Sequence, residues 1–153
     1  MDQKITPNLW FDGNAKEAVD FYVSVFPDSK VVSTAYYPKT AEEGLADFQL
    51  NMAGKELSIE FELVKQRFVA INAGPEFKFN EAVSFAVACK DQAEIDSYWE
   101  KLSAVPESEQ CGWCKDKYGL SWQIVPANME ELMKKPGAFA KLMDMHKIVI
   151  GDF

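Results

Sequence analysis

The chain carries one helical pattern twice, and this repeat constrains its fold more than any other feature. Four apolar positions spaced i, i+3, i+4 and i+7 predict one face of an amphipathic helix. The same four positions recur 77 residues later. The two sets are Ala18, Phe21, Tyr22 and Val25, then Ile95, Tyr98, Trp99 and Leu102. The same shift moves Pro7 onto Ser84, and both precede their helix in a predicted strand. A shared offset for strand and helix predicts a duplicated unit.

Strands are predicted on both sides of each helix, which makes the fold class α+β. We predict a cap for the first helix at Asn14 and a start for the second at Asp91 or Gln92. In the first half the predicted strands are 5–11, 30–37, 46–53, 55–63 and 68–72, with a hairpin turn at Ala53-Gly54. In the second half they are 82–89, 111–115 and 120–125. Short helices, 129–133 and 138–145, follow without a counterpart in the first half.

Length and charge narrow the classes of protein. A chain of 153 residues is close to the size of one domain. We divide it into module one (about 4–75), module two (about 79–126) and C-terminal helices (127–153). The net charge of −8 disfavours nucleic-acid binding. No secretory signal or apolar run of membrane-spanning length is predicted, and an odd number of cysteines, 3, argues against a disulfide framework. We therefore expect a cytoplasmic protein without nucleic-acid or membrane partners.

Three long segments resemble one known family. They are residues 5–15 (ITPNLWFDGNA), 72–81 (NAGPEFKFNE) and 110–126 (QCGWCKDKYGLSWQIVP). Together they resemble the PhnB-like branch of the vicinal oxygen chelate superfamily, which includes glyoxalase I, extradiol dioxygenases and bleomycin-resistance proteins. The resemblance implies two βαβββ modules that form a curved mixed sheet around a cleft, and it implies a homodimer.

Members of this branch are often labelled 3-demethylubiquinone-9 3-methyltransferase-like. The sequence does not favour methyl transfer from S-adenosylmethionine. It has no glycine-rich strand–turn–helix to hold that cofactor, and the duplicated plan differs from a doubly wound sheet.

The resemblance also implies where a divalent metal would bind, through histidine and glutamate side chains of the cleft strands. Those positions fall here on Pro7, Ser84 and Gln123, with the fourth near Ile71 or Asn72. Proline has no donor atom, and neutral hydroxyl and amide groups are poor metal ligands. The only histidine, His146, lies outside the repeats. We therefore predict no metal and no cofactor.

Neutral polar side chains remain as candidates for ligand contact. Alternation along the last strand puts Ser121, Gln123 and Val125 on one face. Gln123 beside Ser84 and near Asn72 would orient a small molecule through hydrogen bonds, or would only satisfy buried backbone groups. The predicted cleft residues are Pro7, Leu9, Asn72, Ser84, Trp113, Ser121 and Gln123.

Two further groups have side chains that could carry chemistry. Cys111 and Cys114 form a C-x-x-C pair, but they lie in a loop and strand and not at a helix N-terminus, which favours a structural role over redox or zinc chemistry. Glu60 and Glu62 share one strand face, which we expect to face water.

Three functions remain open at this stage. The first is a small-molecule binding protein that lacks the usual metal ligands and whose ligand is unknown. The second is an enzyme of the superfamily, such as a lyase, isomerase, dioxygenase or transferase-like protein, with an atypical or weakly metal-bound site. The third is a regulatory module whose cleft is filled by side chains.

Overall fold

The computed structural model describes residues 3–153, and these form two compact units. The first unit ends at Lys78 and contains the segment predicted as module one, and the second, Phe79–Phe153, contains the segments predicted as module two and the C-terminal helices. None of the helices in the described residues is long and apolar enough to cross a membrane. The shared cleft that the resemblance implies stays a prediction.

Module one has the expected βαβββ order. Its strands form a sheet in the order β1-β4-β3-β2, in which β1 runs parallel to β4 and the other neighbours are antiparallel. The elements are β1 (Asn8–Asp12), α1 (Ala15–Val25), β2 (Lys30–Tyr36), β3 (Glu56–Leu63) and β4 (Gln66–Ala73). Helix α1 packs on one face of this sheet, and the buried side chains alternate along β3 and β4 as that packing requires.

Asn72 ties the helix of module one to its sheet. Its side-chain Oδ1 accepts a hydrogen bond from the backbone N–H of Ala15 at 3.1 Å. Its Nδ2 donates to the carbonyl of Glu56 at 2.9 Å, and its own carbonyl accepts from the Tyr37 hydroxyl at 2.6 Å. Asn14 occupies the expected cap position but makes no side-chain cap bond. The first helix is therefore capped from the neighbouring strand.

The predicted strand 46–53 is wrong, because Asp47–Met52 forms a 3₁₀ helix. Phe48 is 83% exposed, so the apolar residues of this segment do not form the buried face that a strand of the predicted hairpin would have. The real hairpin joins β3 to β4 through Val64 and Lys65, whose φ angles are 49° and 68°. Positive φ at both central residues is the geometry of a tight hairpin turn, which Asn and Gly normally occupy. Val64 and Lys65 are neither of these, so the residues at this position did not indicate a turn.

Module two has three strands, one fewer than the βαβββ pattern. Its sheet has the order β5-β7-β6, with β5 parallel to β7 and β6 antiparallel to β7. Residues 103–112 alone link α2 to β6, and Pro106–Ser108 within them form a 3₁₀ turn instead of an edge strand. The elements are β5 (Ser84–Cys89), α2 (Gln92–Leu102), β6 (Trp113–Lys115), β7 (Ser121–Pro126), α3 (Met129–Leu132) and α4 (Ala138–Met143).

The two helices keep the predicted spacing. Helix α1 begins at Ala15 and α2 at Gln92, and their ends are also 77 residues apart. As predicted, Asp91 opens α2, and its side chain accepts a hydrogen bond from the backbone N–H of Glu94 at 2.9 Å. The strands before the helices do not keep this phase. Leu9 is buried in module one, whereas Ala86, at the same offset, is exposed in module two. Matching Pro7 with Ser84 by the 77-residue offset therefore does not mean that their side chains point to the same face of their sheets.

A buried carboxylate, Asp116, shapes the turn between β6 and β7. Its Oδ1 accepts hydrogen bonds from the backbone N–H groups of Tyr118 and Leu120, at 2.8 and 3.1 Å. Its Oδ2 accepts from the indole N–H of Trp122 at 2.8 Å. Asp116 is fully buried, so these donors replace the water that a carboxylate needs. The turn and the start of β7 are thereby fixed together.

We predict that Asp116→Asn lowers the free energy of unfolding by about 2 kcal/mol or more. An amide has one acceptor oxygen in place of two, so its N–H₂ group would face one of the donors that the carboxylate now accepts from. Urea denaturation followed by fluorescence measures the change. Asp152→Asn, on an exposed residue, serves as the control and should stay within about 0.5 kcal/mol of the unmodified protein. Equal stabilities for the two variants would contradict the role given to Asp116.

Candidate functional site

The sheet of module two has one face covered by α2 and one that is not. Trp122 and Ile124 of β7 are buried on the covered side, where Trp122 contacts the ring of Phe85 at 5.9 Å between centroids. The strand register places alternate residues on the opposite side, which we call the open face. The open face consists of Ser84, Ala86, Ala88, Trp113, Lys115, Ser121, Gln123 and Val125.

One hydrogen bond joins two side chains at the centre of the open face. Gln123 Nε2 donates to Ser84 Oγ at 2.9 Å. Within residues 3–153 the side-chain carbonyl of Gln123 makes no hydrogen bond, and the Ser84 hydroxyl keeps its own proton free to donate. The pair therefore presents an acceptor next to a hydroxyl donor, with the second N–H of Gln123 Nε2 as another donor, and both side chains are only partly buried.

Ser121 lies between Ser84 and Lys115 in the register. Its hydroxyl is buried, with the residue 1% exposed, and it has no hydrogen-bond partner in the structure. Lys115 forms an ion pair with Glu81, and the hydrogen bond from Lys115 is the main reason why the pKa of Glu81 is lowered. Lys115 is thus already paired with the carboxylate of Glu81, whereas the hydroxyl of Ser121 beside it has no hydrogen-bond partner among the described residues.

The structure brings four of the seven predicted site residues together. Ser84, Trp113, Ser121 and Gln123 share the open face of module two. Leu9 and Asn72 belong to module one and are buried on the side of the sheet that α1 covers, at 6% and 2% exposure. Asn72 uses its side chain in the structural bonds described above. Pro7 precedes β1, and its carbonyl accepts a hydrogen bond from the backbone of β4.

The donor atoms of the open face do not fit the metal centre that the superfamily implies. They are hydroxyl and amide groups and one lysine, whereas that centre needs imidazole and carboxylate. Among the residues that the structure describes, no group of three His, Cys, Asp or Glu side chains could hold a metal ion. His146 is exposed and follows α4, and its carbonyl accepts a hydrogen bond from Gly112 at 2.7 Å.

Several residues of this region were not found by sequence reasoning. Lys115 and Glu81 were missed because their pairing depends on the register of β6 and β7. Alternation along β5 would have found Ala86 and Ala88, whose small exposed side chains leave space on the open face.

In module one, Arg67 bridges Glu60 at 2.9 Å and contacts Glu62 at 3.9 Å, so those two carboxylates are balanced by a cation.

The two cysteines of the C-x-x-C segment lie in different environments. Cys114 shares the covered face with Trp122 and is buried, and burial raises the pKa of its thiol to about 12. Cys111 adopts a positive φ of 54° and is partly exposed, with its Sγ 3.7 Å from the Sδ of Met143. Cys89 is also buried, with its pKa raised to about 12. Only one thiol of the C-x-x-C segment is therefore accessible.

We predict that Ellman's reagent modifies one thiol of the folded protein at pH 8. Cys111 is partly exposed, whereas Cys89 and Cys114 are buried and stay protonated well above that pH. The other two thiols should react only after denaturation, and Cys111→Ser should abolish the fast reaction. Rapid modification of two thiols in the native protein would contradict this assignment.

Comparisons with known proteins agree on one family. The model of the family described as 3-demethylubiquinone-9 3-methyltransferase matches residues 3–125. A putative 3-demethylubiquinone-9 3-methyltransferase, PhnB protein, from Bacillus cereus is 35% identical, with a TM-score of 0.63 over 80% of this chain and 99% of that chain. No curated protein matches the chain.

Two more distant solved structures share the fold. A protein from Pseudomonas aeruginosa is 16% identical, with a TM-score of 0.59 over 82% of this chain and 98% of that chain. The fosfomycin resistance protein FosX from Mesorhizobium loti is 12% identical, with a TM-score of 0.56 over 88% of this chain and 99% of that chain.

Proposed function

The chain belongs to the 3-demethylubiquinone-9 3-methyltransferase family, the PhnB-like branch of the vicinal oxygen chelate superfamily, and we propose that it binds a small organic molecule on the open face of module two. The Gln123–Ser84 hydrogen bond carries this proposal. It orders two side chains on a half-exposed sheet face and leaves the Gln123 carbonyl as an acceptor, with the Ser84 hydroxyl and the second N–H of Gln123 Nε2 as donors for a ligand. A small-molecule ligand also suits a fold that FosX, a fosfomycin resistance protein, shares.

The proposed binding does not depend on a metal ion or on S-adenosylmethionine. The residues of the open face are poor metal ligands, as their donor chemistry shows. The family description names a methyltransferase, but the strand orders β1-β4-β3-β2 and β5-β7-β6 differ from the doubly wound sheet that commonly holds dinucleotide cofactors. The exposed Ala86 and Ala88 argue against the third hypothesis, because the side chains of module two leave its open face unfilled.

We expect Gln123→Ala to abolish ligand binding while lowering the free energy of unfolding by less than about 2 kcal/mol. Gln123 is partly exposed and bonds only Ser84, so little of the fold rests on it. Compounds that raise the melting temperature of the unmodified protein are to be retested on this variant. Gln66→Ala, on an exposed position of module one, is the matched control. Compounds that stabilise Gln123→Ala as much as the unmodified protein would refute the site.

We expect excess EDTA to leave the melting temperature of the freshly purified protein within about 1 °C of its starting value, since the open face offers no imidazole or carboxylate that would hold an ion tightly. Native mass spectrometry of the same sample should show protein without a divalent metal. Turnover that requires added Mn²⁺ or Zn²⁺, or a fall of several degrees with EDTA, would favour the alternative of a superfamily enzyme with an atypical metal site.

We also propose that the protein is a cytoplasmic homodimer. Its three cysteines are free, as is usual in a reducing compartment. Strand β2 is an edge strand whose exposed side chains include Val31, Val32 and Tyr36, and such a strand needs a cover. Light scattering should give twice the chain mass of 17.3 kDa. Val32→Lys should reduce that mass, whereas Val83→Lys, at an exposed valine outside β2, should not.

A further inference from the structure

The open face of module two also indicates the chemical class of its ligand. We propose that it takes a planar ring carrying a neutral carboxamide or lactam group, an inference that rests on the proposed function. Three features of the face support this class: its hydrogen-bonding pair, its charge balance and its shape.

The hydrogen-bonding pair matches a carboxamide edge. Gln123 Nε2 gives one of its two N–H groups to Ser84. The Gln123 carbonyl remains to accept, the Ser84 hydroxyl remains to donate, and the second N–H of Nε2 is a further donor beside them. A carboxamide or lactam presents an N–H beside a C=O. The N–H can donate to the Gln123 carbonyl while the C=O accepts from the Ser84 hydroxyl. A carboxylate has no N–H to give, and one of its oxygens would face the Gln123 carbonyl. An amidinium has no oxygen to accept from Ser84.

The charges around the face do not favour an ionic ligand. Lys115 is its one basic residue, and this cation is paired with Glu81. An anion would have to displace Glu81, and a cation would have to displace Lys115. The net charge of −8 adds a general penalty for anions. A neutral ligand leaves the ion pair intact.

The shape of the face suits a flat ring beside the amide. Trp113 and Ala86 are the register partners of Gln123 on its two sides. The partly buried indole offers a flat apolar surface on one side. On the other side the exposed Ala86 and Ala88 leave space above β5.

Three isosteric probes test the class by calorimetric or NMR titration: benzamide is neutral, benzoate is an anion and benzamidine is a cation. We expect benzamide to bind the unmodified protein at least tenfold more tightly than either ion. Gln123→Glu should reverse the order in favour of benzamidine, because a carboxylate accepts both N–H groups of an amidinium. Trp113→Ala should weaken benzamide at least fivefold, and Gln66→Ala should leave all three affinities unchanged.

The outcomes separate this inference from the proposed function. Benzoate or benzamidine binding as tightly as benzamide, or no binding by any probe, would overturn the ligand class. The proposed function would still stand if other compounds bind in a way that Gln123→Ala abolishes. Selectivity for benzamide that Gln123→Ala and Gln123→Glu do not change would overturn both, because binding would then occur elsewhere on the protein.

Discussion

Each unit depends on one buried polar side chain whose hydrogen bonds must all be made inside the protein. In module one this is Asn72, which joins the start of α1 to β3 and to Tyr37. In module two it is Asp116, which joins the β6–β7 turn to Trp122. An unpaired amide or carboxylate in such a position would cost several kcal/mol, so each residue selects one arrangement of its neighbours. The turn that Asp116 holds leads directly into β7, the strand that carries Gln123 of the open face.

The two units share a plan but differ in the chemistry of their uncovered strands. In module one Arg67 lies between Glu60 and Glu62, and Ser33 donates a further hydrogen bond to Glu60 at 3.1 Å. Each of those charged side chains lies within 4 Å of one of opposite charge, although Arg67 Nε itself makes no hydrogen bond within the described part of the chain. In module two the corresponding surface carries one cation, Lys115, which is paired with Glu81, and it keeps unused hydrogen-bonding capacity at Gln123 and Ser84. The duplication therefore gives two similar frameworks, of which the second carries the better candidate for recognition of a small molecule.

The α+β class, the repeat and both helices could be predicted from the sequence, because apolar spacing and caps are local signals. The hairpin at Val64 and Lys65 could not, because its positive φ angles are imposed by the pairing of β3 with β4 and not by turn residues. Gln123 beside Ser84 followed from the positions at which the resemblance implies metal ligands. That Leu9 and Asn72 lie on the side of the sheet covered by α1 could not be predicted, because which face of a strand is buried depends on where the helix packs.

The one-residue difference in phase between β1 and β5 bears on how the two halves relate in evolution and in design. A strand that shifts by one residue exchanges its inward and outward side chains. If β5 replaced β1 at the offset that aligns the helices, Ala86 and Ala88 would take the buried places of Leu9 and Phe11, and Phe85 and Val87 would point to solvent. The halves are thus no longer interchangeable parts. A chimera of repeated halves would need a compensating insertion or deletion between strand and helix to recover a packed core.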